Sequence, residues 1–336
     1  MHSPNASDRA VWSARVGDQT LHRELLHTLS CLHECEGKGS VAPLNGWVRV
    51  AAWNVQRGRR PAALAALLGT TGADVAMLSE LDSGMARTRN DDVPHLLADA
   101  LGAGYAYGVE FVELGLGDEV EQREAAGSEN ARGLHGNAIV SPAELIEPCV
   151  LRLPDSEPRW FAADSTQRRI GGRMAVLATV TIDGMPVQVA STHLENRTDG
   201  EHRAEQMEVL LSAVDERAGG GPAVVGGDFN TLGAPFADLF DQAIQRTLRA
   251  TDPTRFTWPV AYEPLFEVAA AHDFTWIDAN VAAPTTEHHA DGLPDHVPIR
   301  LDWLLVRGLE ARRPAVVPVG GLSDHRIVSC AVRVPR

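Results

Sequence analysis

Short apolar runs separated by polar and glycine-rich stretches recur along most of the chain. Runs rich in β-branched residues are typical of buried strands, whereas apolar residues spaced three or four apart are typical of helices. The first pattern predicts strands over residues 48–54, 73–80, 105–114, 174–182, 186–192, 222–227, 274–279, 301–306 and 327–332. The second pattern predicts a helix that begins at Pro61 and helices over residues 92–101 and 201–217.

The connections between these elements indicate the fold class. Two predicted strands flank Asp183-Gly184, which is a strong hairpin signal, while others are separated by helices. Hairpins mixed with helix crossovers predict an α/β fold of sheets covered by helices in one large layered domain, rather than a purely parallel doubly wound sheet. A chain of 336 residues, 44% of them hydrophobic and 22% charged, is long enough and ordinary enough in composition to bury such a core.

Residues 1–46 precede the first predicted strand and form an N-terminal extension that we expect to be partly helical. A helix that ends at Gly37 is predicted by the spacing of Leu21, Leu25, Leu29 and Leu32. Cys31 and Cys35, with histidines nearby, would offer zinc ligands, but a C-x3-C spacing is unusual for a zinc pair. The pattern therefore favours an amphipathic helix with incidental polar residues.

The charge of the chain bears on its partners. The formal net charge is −15, and the only lysine is Lys38. Because nucleic-acid affinity depends largely on cationic side chains that replace condensed counterions, this balance disfavours non-specific binding of polyanions. An anionic substrate is therefore expected to be held by a few arginine side chains.

Cysteine usage and hydropathy indicate the compartment. The four cysteines are too few and too scattered for a disulfide framework. No apolar stretch approaches membrane-spanning length, and the first residues lack the apolar core of a signal peptide. We expect a cytoplasmic protein with reduced thiols and no membrane span, and no obligate protein partner is evident.

Polar residues that suit metal and acid–base chemistry occur at the ends of several apolar runs. They are Asn54, Glu80, His193, Asp228, Asn230, Asp302, Asp324 and His325. Hard cations such as Mg²⁺ take carboxylate and amide oxygens, and histidine serves proton transfer, so the series predicts one divalent-metal site. His325 is the candidate general base or charge-stabilising imidazole. Its neighbour Asp324 would raise the basicity of the ring only if it reaches the ring, and otherwise Asp324 serves the metal while Asp302 orients His325.

These motifs occur in a definite order over about residues 47–336. They are Trp-Asn-Val with Asn54, a strand ending in Glu80, Gly-Asn-Ala-Ile-Val-Ser with Asn137, Arg173, Thr-His-Leu with His193, Gly-Asp-Phe-Asn with Asp228 and Asn230, Leu-Asp-Trp with Asp302, and Ser-Asp-His with Asp324 and His325. Each motif is weak alone, but the ordered set resembles the endonuclease/exonuclease/phosphatase superfamily, the DNase I-like metal-dependent phosphohydrolases. The resemblance implies a four-layer α/β sandwich of two packed mixed β-sheets flanked by helices, with residues 47–336 as the catalytic domain.

The resemblance also implies a metal site and a dyad. It implies a Mg²⁺-dependent hydrolase of phosphoester bonds in which Mn²⁺ could replace Mg²⁺. Glu80 would be the principal metal ligand, helped by Asn54 and Asp324. Asp302 and His325 would form the acid–base dyad.

The remaining motif residues are expected to contact the phosphate or the water. His193 would donate to a non-bridging phosphate oxygen in the transition state. Asp228 and Asn230 would position the nucleophilic water, a second metal or the leaving group. Arg173 offers a planar fork that suits phosphate oxygens, and Asn137 is a second candidate for phosphate contact that could instead cap a turn.

The site plan does not decide the substrate, because phosphatases, phosphodiesterases, lipid-directed enzymes and nucleases of this superfamily share it. The negative charge favours a small phosphorylated metabolite or lipid head group, with a metal-dependent endonuclease or exonuclease as the alternative. The apurinic-site nucleases carry a tyrosine where this chain has Leu134 and His135, which weakens a DNA-repair assignment. A non-catalytic binding module is a third hypothesis, but it has no physical need for the polar series.

Three segments are candidates for the walls that set specificity. They are residues 115–133, 152–172 and 284–300. The first is acidic, glycine-rich and without clear periodicity, so we predict a long loop that is either functional or a solvated excursion. Three arginines in or near these segments are candidates for binding a second anionic group, namely Arg168, Arg169 and Arg197.

Overall fold

The computed structural model describes residues 1–155, 159–163, 165–234, 238, 241–287 and 299–335. The helices in these ranges are α1 (Ala6–Ser13), α2 (Gln19–Thr28), α3 (Pro61–Thr70), α4 (Val93–Ala100), α5 (Glu119–Glu124), α6 (Gly200–Ala218), α7 (Gln242–Thr251), α8 (Thr254–Thr257) and α9 (Leu265–Ala271). The strands are β1 (Cys35–Lys38), β2 (Val48–Arg57), β3 (Val75–Ser83), β4 (Gly104–Glu113), β5 (Leu134–Ser141), β6 (Ile146–Arg152), β7 (Arg169–Gly171), β8 (Met174–Ile182), β9 (Met185–His193), β10 (Ala223–Asp228), β11 (Asp302–Arg307), β12 (Glu310–Val317) and β13 (Ile327–Arg333).

The strands form two mixed sheets. The first has the order β1-β4-β5-β3-β2-β13-β12, and β7 pairs with β4 at its edge. The second has the order β11-β10-β9-β8-β6. In the first sheet β2 and β3 are parallel neighbours, and in the second β9 and β10 are parallel neighbours. Four of the predicted polar residues lie in the carboxyl-terminal halves of these four strands. They are Asn54, Glu80, His193 and Asp228.

Three apolar layers hold the sheets and helices together. The layer between the two sheets includes Val50, Met77, Val176, Val189 and Leu304. A second layer packs α3 and α4 on the first sheet, and a third packs α6 and α9 on the second sheet. The order is thus helix, sheet, sheet, helix, and the predicted four-layer α/β sandwich is confirmed.

The hairpin between β8 and β9 follows the prediction from Asp183-Gly184. Both residues have positive φ angles, 50° at Asp183 and 81° at Gly184. A two-residue turn of this kind matches the right-handed twist of the paired strands, which explains why an Asp-Gly sequence occurs here.

The predicted strand over residues 274–279 is wrong. Only Thr275 pairs with β11, through an isolated bridge to Val306. Next along this edge, the side chain of Asn280 takes the place of a strand, because its Nδ2 donates to the carbonyl of Leu304 at 2.7 Å and its Oδ1 accepts from the same residue's N–H at 3.1 Å. Phe274 and Trp276 are apolar because they pack on the α9 side of the core.

The predicted end of the N-terminal helix is also wrong. Helix α2 ends at Thr28, where Leu29 becomes extended, and Gly37 lies in β1. Strand β1 pairs with β4, and a Cβ atom at Gly37 would lie only 2.4 Å from the carbonyl oxygen of Tyr105. Part of the segment 1–46 therefore extends the first sheet.

The segment 115–133 is not entirely a loop, since it contains α5. Asp118 accepts from the backbone N–H of Glu121, and the Glu121 side chain accepts from the backbone N–H of Asp118. This reciprocal capping box starts the helix. Its Asp-x-x-Glu spacing is a sign of a helix start that apolar periodicity does not detect.

Parts of the other two candidate wall segments lie outside the described residues. They are residues 156–158 and 164 of the segment 152–172 and residues 288–298 of the segment 284–300. Among the helices that the structure does describe, none is long and apolar enough to span a bilayer.

Candidate active site

Three adjacent strands of the second sheet place three of the predicted residues side by side. In the register of the sheet, Asp228 at the end of β10 pairs with His193 at the end of β9 and with Asp302 at the start of β11. All three are buried. The strand ends therefore form one row of polar groups at an otherwise apolar edge.

The first sheet faces this row with Asn54 and Glu80. Asn54 follows Trp53 in β2, and its Nδ2 donates to Glu80 Oε1 at 3.0 Å and to Asp228 Oδ2 at 3.1 Å. A single amide thus joins carboxylates from the two sheets. Its own oxygen accepts from the backbone N–H of Gln56 at 3.0 Å, which fixes the orientation of the amide.

His325 lies against the same row and has Asp302 as its partner. Its Nδ1 is 2.8 Å from Asp302 Oδ2, while its Nε2 is 3.7 Å from Asp228 Oδ2. The backbone of His325 is held by Trp53 Nε1, which donates to its carbonyl at 2.9 Å, and by the Ser323 hydroxyl, which accepts from its N–H at 3.0 Å. The imidazole is therefore fixed on both its ring and its backbone.

The charges around His325 favour its protonated form. Burial opposes protonation, but the negative charges of Asp302 and Asp228 outweigh it and raise the pKa of His325 well above its usual range. Asp228 is shared with a second imidazole, since its Oδ2 also lies 3.6 Å from His193 Nε2. One carboxylate oxygen consequently lies between two histidines.

Glu80 has an unusual backbone and a strong cationic partner. Its φ angle is 60°, a left-handed conformation that is uncommon outside glycine, and it lies where the register of β3 against β5 shifts between Leu78 and Leu81. Arg57 Nη1 donates to Glu80 Oε2. Burial opposes ionisation, but the charges of Arg57 and His193 hold the pKa of Glu80 well below its usual range. Glu80 is therefore an anion, the state in which a carboxylate can bind a metal ion.

Two further predicted residues, Asp324 and Asn230, make different contacts. Asp324 is half-buried, and its Oδ1 lies 3.3 Å from the Ser323 hydroxyl. The backbone N–H of Asn230 donates to Asp228 Oδ1 at 3.0 Å, and its amide donates to the carbonyl of Leu194 at 2.8 Å.

Arg173 and Asn137 occupy different surroundings. Arg173 contacts Glu110 through Nη1 at 2.5 Å and Glu195 through Nε at 3.3 Å, and it lines the pocket described below. Asn137 is fully buried beneath it, where its Nδ2 donates to Met174 at 3.3 Å and its Oδ1 has no hydrogen-bond partner among the described residues. The structure thus brings Arg173, but not Asn137, to the pocket surface.

A second group of buried charged residues, on and beside the first sheet, was not predicted from the sequence as a group. They are Arg57, Asp82, Arg87, Glu110, Glu113, Glu121 and His135, with Arg169 and Glu195 beside them. Arg87 makes two hydrogen bonds to Asp82 and one each to Glu113 and Glu121, at 2.8 to 3.1 Å. The only local signal was an ionisable residue at a buried position of a strand, as in Glu110 and Glu113 of β4.

A pocket of about 270 Å³ opens beside Glu80 and His193. Its charged lining residues are four arginines and two carboxylates, which are Arg57, Arg169, Arg173, Arg197, Glu80 and Asp118. Phe111 and Trp160 supply aromatic surface, and His135 also reaches the lining. Four guanidinium groups thus line a pocket in a chain of net charge −15. Carboxylates buried behind the lining pair with three of them, namely Glu121 with Arg57, Glu113 with Arg169, and Glu110 and Glu195 with Arg173.

The donor groups at the centre suit a hard divalent cation. Asp228, Asp302 and His325 have ligand atoms within 4.8 Å of one another. His325, however, already uses Nδ1 for Asp302, and its environment favours a proton, so it is a poor metal ligand. The remaining donors around Asn54 are the oxygens of Glu80 and Asp228, which fit Mg²⁺ or Mn²⁺ better than a softer metal.

Comparison with known proteins defines the class. The model of the Endonuclease/Exonuclease/phosphatase family matches residues 51–325. The chain therefore belongs to this family, whose members are hydrolases of phosphoester bonds and generally depend on divalent metal. No curated protein has a sequence that matches the chain significantly.

Several solved structures share the fold of this chain. A Beutenbergia cavernae endonuclease/exonuclease/phosphatase is 20% identical over 86% of this chain and 72% of its own, with a TM-score of 0.59. The human Nocturnin catalytic domain is 16% identical over 88% and 98%, with a TM-score of 0.52. The Bacteroides thetaiotaomicron mannosyl-6-phosphatase is 15% identical over 85% and 99%, with a TM-score of 0.52. At these identities the likeness shows the fold alone.

Proposed function

We propose that this protein is a Mg²⁺-dependent hydrolase of phosphoester bonds that acts on a small phosphorylated metabolite or a lipid head group. The observation that carries this proposal is the 270 Å³ pocket, which brings arginines and Trp160 beside Glu80 and His193. A pocket of that size fits a compact substrate better than a length of duplex, and its arginines suit phosphate oxygens.

Glu80, Asn54 and Asp324 would hold the ion, with Mn²⁺ as a substitute for Mg²⁺. The anionic state of Glu80 supports this assignment. Asn54 would bind the ion through Oδ1, which in this structure accepts from the backbone N–H of Gln56. When bound, the ion would neutralise charge on the phosphoryl oxygens and polarise the attacking water.

The protein's own groups supply proton transfer and positioning. Asp302 fixes the ring of His325 through Nδ1 and leaves Nε2 directed toward Asp228, where it can take or give a proton. His193 lines the pocket and would donate to a non-bridging phosphate oxygen. Asp228 and Asn230, linked through a backbone hydrogen bond, would position the water or the leaving oxygen.

Arg173 would contact the phosphate beside His193, since both residues lie against Glu110. Its guanidinium is held by Glu110 and Glu195, so the fork is already oriented before substrate arrives. Preorganised cationic donors are effective because they need no rearrangement as charge develops in the transition state. Asn137 would contribute indirectly, since it packs against Met174 beneath Arg173.

The test is hydrolysis by the purified protein with Mg²⁺, Mn²⁺ or a chelator, across phosphate monoesters, diesters, phospholipid head groups and plasmid DNA. We expect metal-dependent turnover of one small class, and Glu80→Ala should abolish it. Glu144→Ala removes an exposed carboxylate and is the matched control. Cleavage of plasmid alone would replace this proposal with a nuclease. Absence of turnover from a folded, metal-binding protein across the panel would overturn it in favour of a binding module.

A further inference from the structure

Among the three buried arginines of the pocket, Arg169 has the fewest carboxylate partners. Arg57 contacts both Glu80 and Glu121, and Arg173 contacts both Glu110 and Glu195. Arg169 has one carboxylate partner, Glu113, at 2.8 Å.

That one carboxylate oxygen is shared. Glu113 Oε1 also accepts from Arg87 Nη2 at 3.1 Å, so two guanidinium groups divide one negative charge. Burial lowers the pKa of Arg169, and the charges of Arg57 and Arg87 lower it further, against the attraction of Glu113. The site around Arg169 is therefore short of negative charge.

The guanidinium of Arg169 also has a donor without an acceptor. Its side chain is only 5% exposed, and its Nη2 has no hydrogen-bond partner among the described residues. Buried donors in folded proteins are nearly always paired, so an unpaired charged donor in the wall of a pocket points to a ligand atom that completes it.

Two aromatic rings hold this guanidinium in place. Its Cζ lies 4.9 Å from the centre of the Phe111 ring and 5.1 Å from that of Trp160. Rotation of the side chain to find another acceptor would lose both contacts. Two more cations lie near the Trp160 ring, because Arg197 Cζ lies 5.6 Å and Arg173 Cζ 5.8 Å from its centre. Arg197 is exposed and lines the pocket, so it can approach a ligand held by Arg169.

We infer that Arg169, with Arg197 at the rim, forms a second anion subsite in the pocket, and that the substrate is a small phosphoester that carries a second phosphate or a carboxylate. The inference rests on the proposed function for the identity of the first phosphate, which Glu80, His193 and Arg173 would engage. Trp160 contacts the guanidinium groups of both Arg169 and Arg197 and so holds the two cations of the subsite beside each other.

Arg168 offers a matched control. It precedes Arg169 in the chain and has the same charge, but it is exposed and is absent from the pocket lining. An effect of general charge would appear equally in Arg168→Met and Arg169→Met, whereas a subsite would be sensitive only to the second substitution. Arg197→Met provides a further test at an exposed position, where loss of folding is not expected.

The experiment is calorimetric titration of the full-length protein in excess Mg²⁺ with propane-, butane- and pentane-bisphosphonate and with the alkyl monophosphonate of each length. Their carbon–phosphorus bonds resist hydrolysis, so binding is measured without turnover. We expect the best bisphosphonate to bind about tenfold more tightly than its monophosphonate, the effect of one charge-assisted hydrogen-bond pair. Arg169→Met should remove this preference, Arg197→Met should reduce it, and Arg168→Met should retain it, with folding checked by thermal unfolding.

Equal binding of mono- and bisphosphonates by the wild-type protein would overturn the subsite, as would a preference that survives in both Arg169→Met and Arg197→Met. If Arg169→Met does not fold, Arg197→Met decides. Failure of the proposed function has a different signature, because the bisphosphonate preference would persist in a protein that hydrolyses no phosphoester in the metal-dependent panel.

Discussion

Two histidine–aspartate pairs lie in this molecule with nearly the same local geometry. In the second sheet's row of polar groups, His325 Nδ1 lies 2.8 Å from Asp302 Oδ2. In the first sheet, His135 Nδ1 lies 2.8 Å from Asp82 Oδ1, and these two residues are register partners on β5 and β3. All four residues are buried, so distance and burial do not distinguish the pairs.

The surrounding charges distinguish them. The negative charges near His325 raise its pKa well above the usual range despite burial. Around His135 the reverse holds, because burial and the charges of Arg57 and Arg169 lower its pKa against the hydrogen bond with Asp82. Asp82 already accepts two hydrogen bonds from Arg87 at 2.8 Å.

The comparison shows that a buried aspartate does not by itself make a histidine basic. Two carboxylates, Asp302 and Asp228, raise the pKa of His325, whereas burial and two cations, Arg57 and Arg169, oppose the effect of Asp82 on His135. We therefore expect His325 to take part in proton transfer and charge stabilisation. We expect His135 to be an uncharged residue that lines the pocket.

The largest contrast is expected in turnover. His325→Ala should lower kcat by about 10³-fold, since positioned acid–base groups contribute roughly 10²- to 10⁴-fold. His135→Ala should lower it by no more than about tenfold, the scale of one hydrogen bond. Steady-state kinetics on the substrate found in the panel, with circular dichroism as a check on folding, measures both. Equal losses in the two variants would contradict the division of roles.

Replacement of Arg87, the cation that pairs with Asp82, should destabilise the protein. Arg87→Met leaves Asp82 buried without its main partner, which typically costs about 3–5 kcal/mol in the free energy of unfolding. Denaturant unfolding measures this cost, and Arg89→Met, at a side chain that is 68% exposed, is the control. A loss in Arg87→Met no greater than in the control would show that the network around Asp82 is not stabilising.

The protonation states can be compared directly by NMR titration of imidazole signals in the metal-free protein. We expect His325 to stay protonated at pH values above the usual histidine range and His135 to stay neutral below it. Signals are assigned among the 13 histidines with His135→Gln and His325→Gln. Titration of both rings at one ordinary value would remove the electrostatic difference on which the comparison rests.

The two regions also differ in how far the sequence predicts them. His193, Asp228 and Asp302 mark the ends of apolar runs, and neighbouring strands in register bring such ends together, so local pattern was sufficient to group them. Glu110 and Glu113 lie inside a strand predicted only as extended. Their guanidinium partners are separated from them by 26 to 63 residues and enter from other elements, which no local pattern reveals.

The correctly predicted layers and the wrongly predicted strand at 274–279 both result from reliance on apolar runs. Apolar runs identified the strands that face a core on both sides, such as β3 and β10. The apolar stretch at 274–279 packs on a helix, while a polar side chain, Asn280, satisfies the sheet edge. Apolar periodicity predicts which residues are buried, but it does not predict which group forms the hydrogen bonds at the edge of a sheet.

A smaller effect is expected where the arginine network meets α5. Glu121 accepts from Arg57 and Arg87, and although burial opposes it, these charges lower the pKa of Glu121 to about 2. Because the folded-state pKa lies below the ordinary value of 4.5, Glu121 stabilises the protein above that value, and the contribution is lost as the pH falls from about 4.5 to about 2. Glu121→Gln should therefore lower the free energy of unfolding by roughly 3 kcal/mol at neutral pH.

The difference between wild type and Glu121→Gln should narrow on acidification, since protonation removes from the wild-type protein the charge that the variant already lacks. Denaturant unfolding at a series of pH values measures the narrowing, and Glu124→Gln, at a side chain that is 54% exposed, is the matched control. A constant difference across the whole range would mean that the Glu121 carboxylate acts through packing and the α5 cap. Its charge would then have no part in the arginine network that holds His135 neutral.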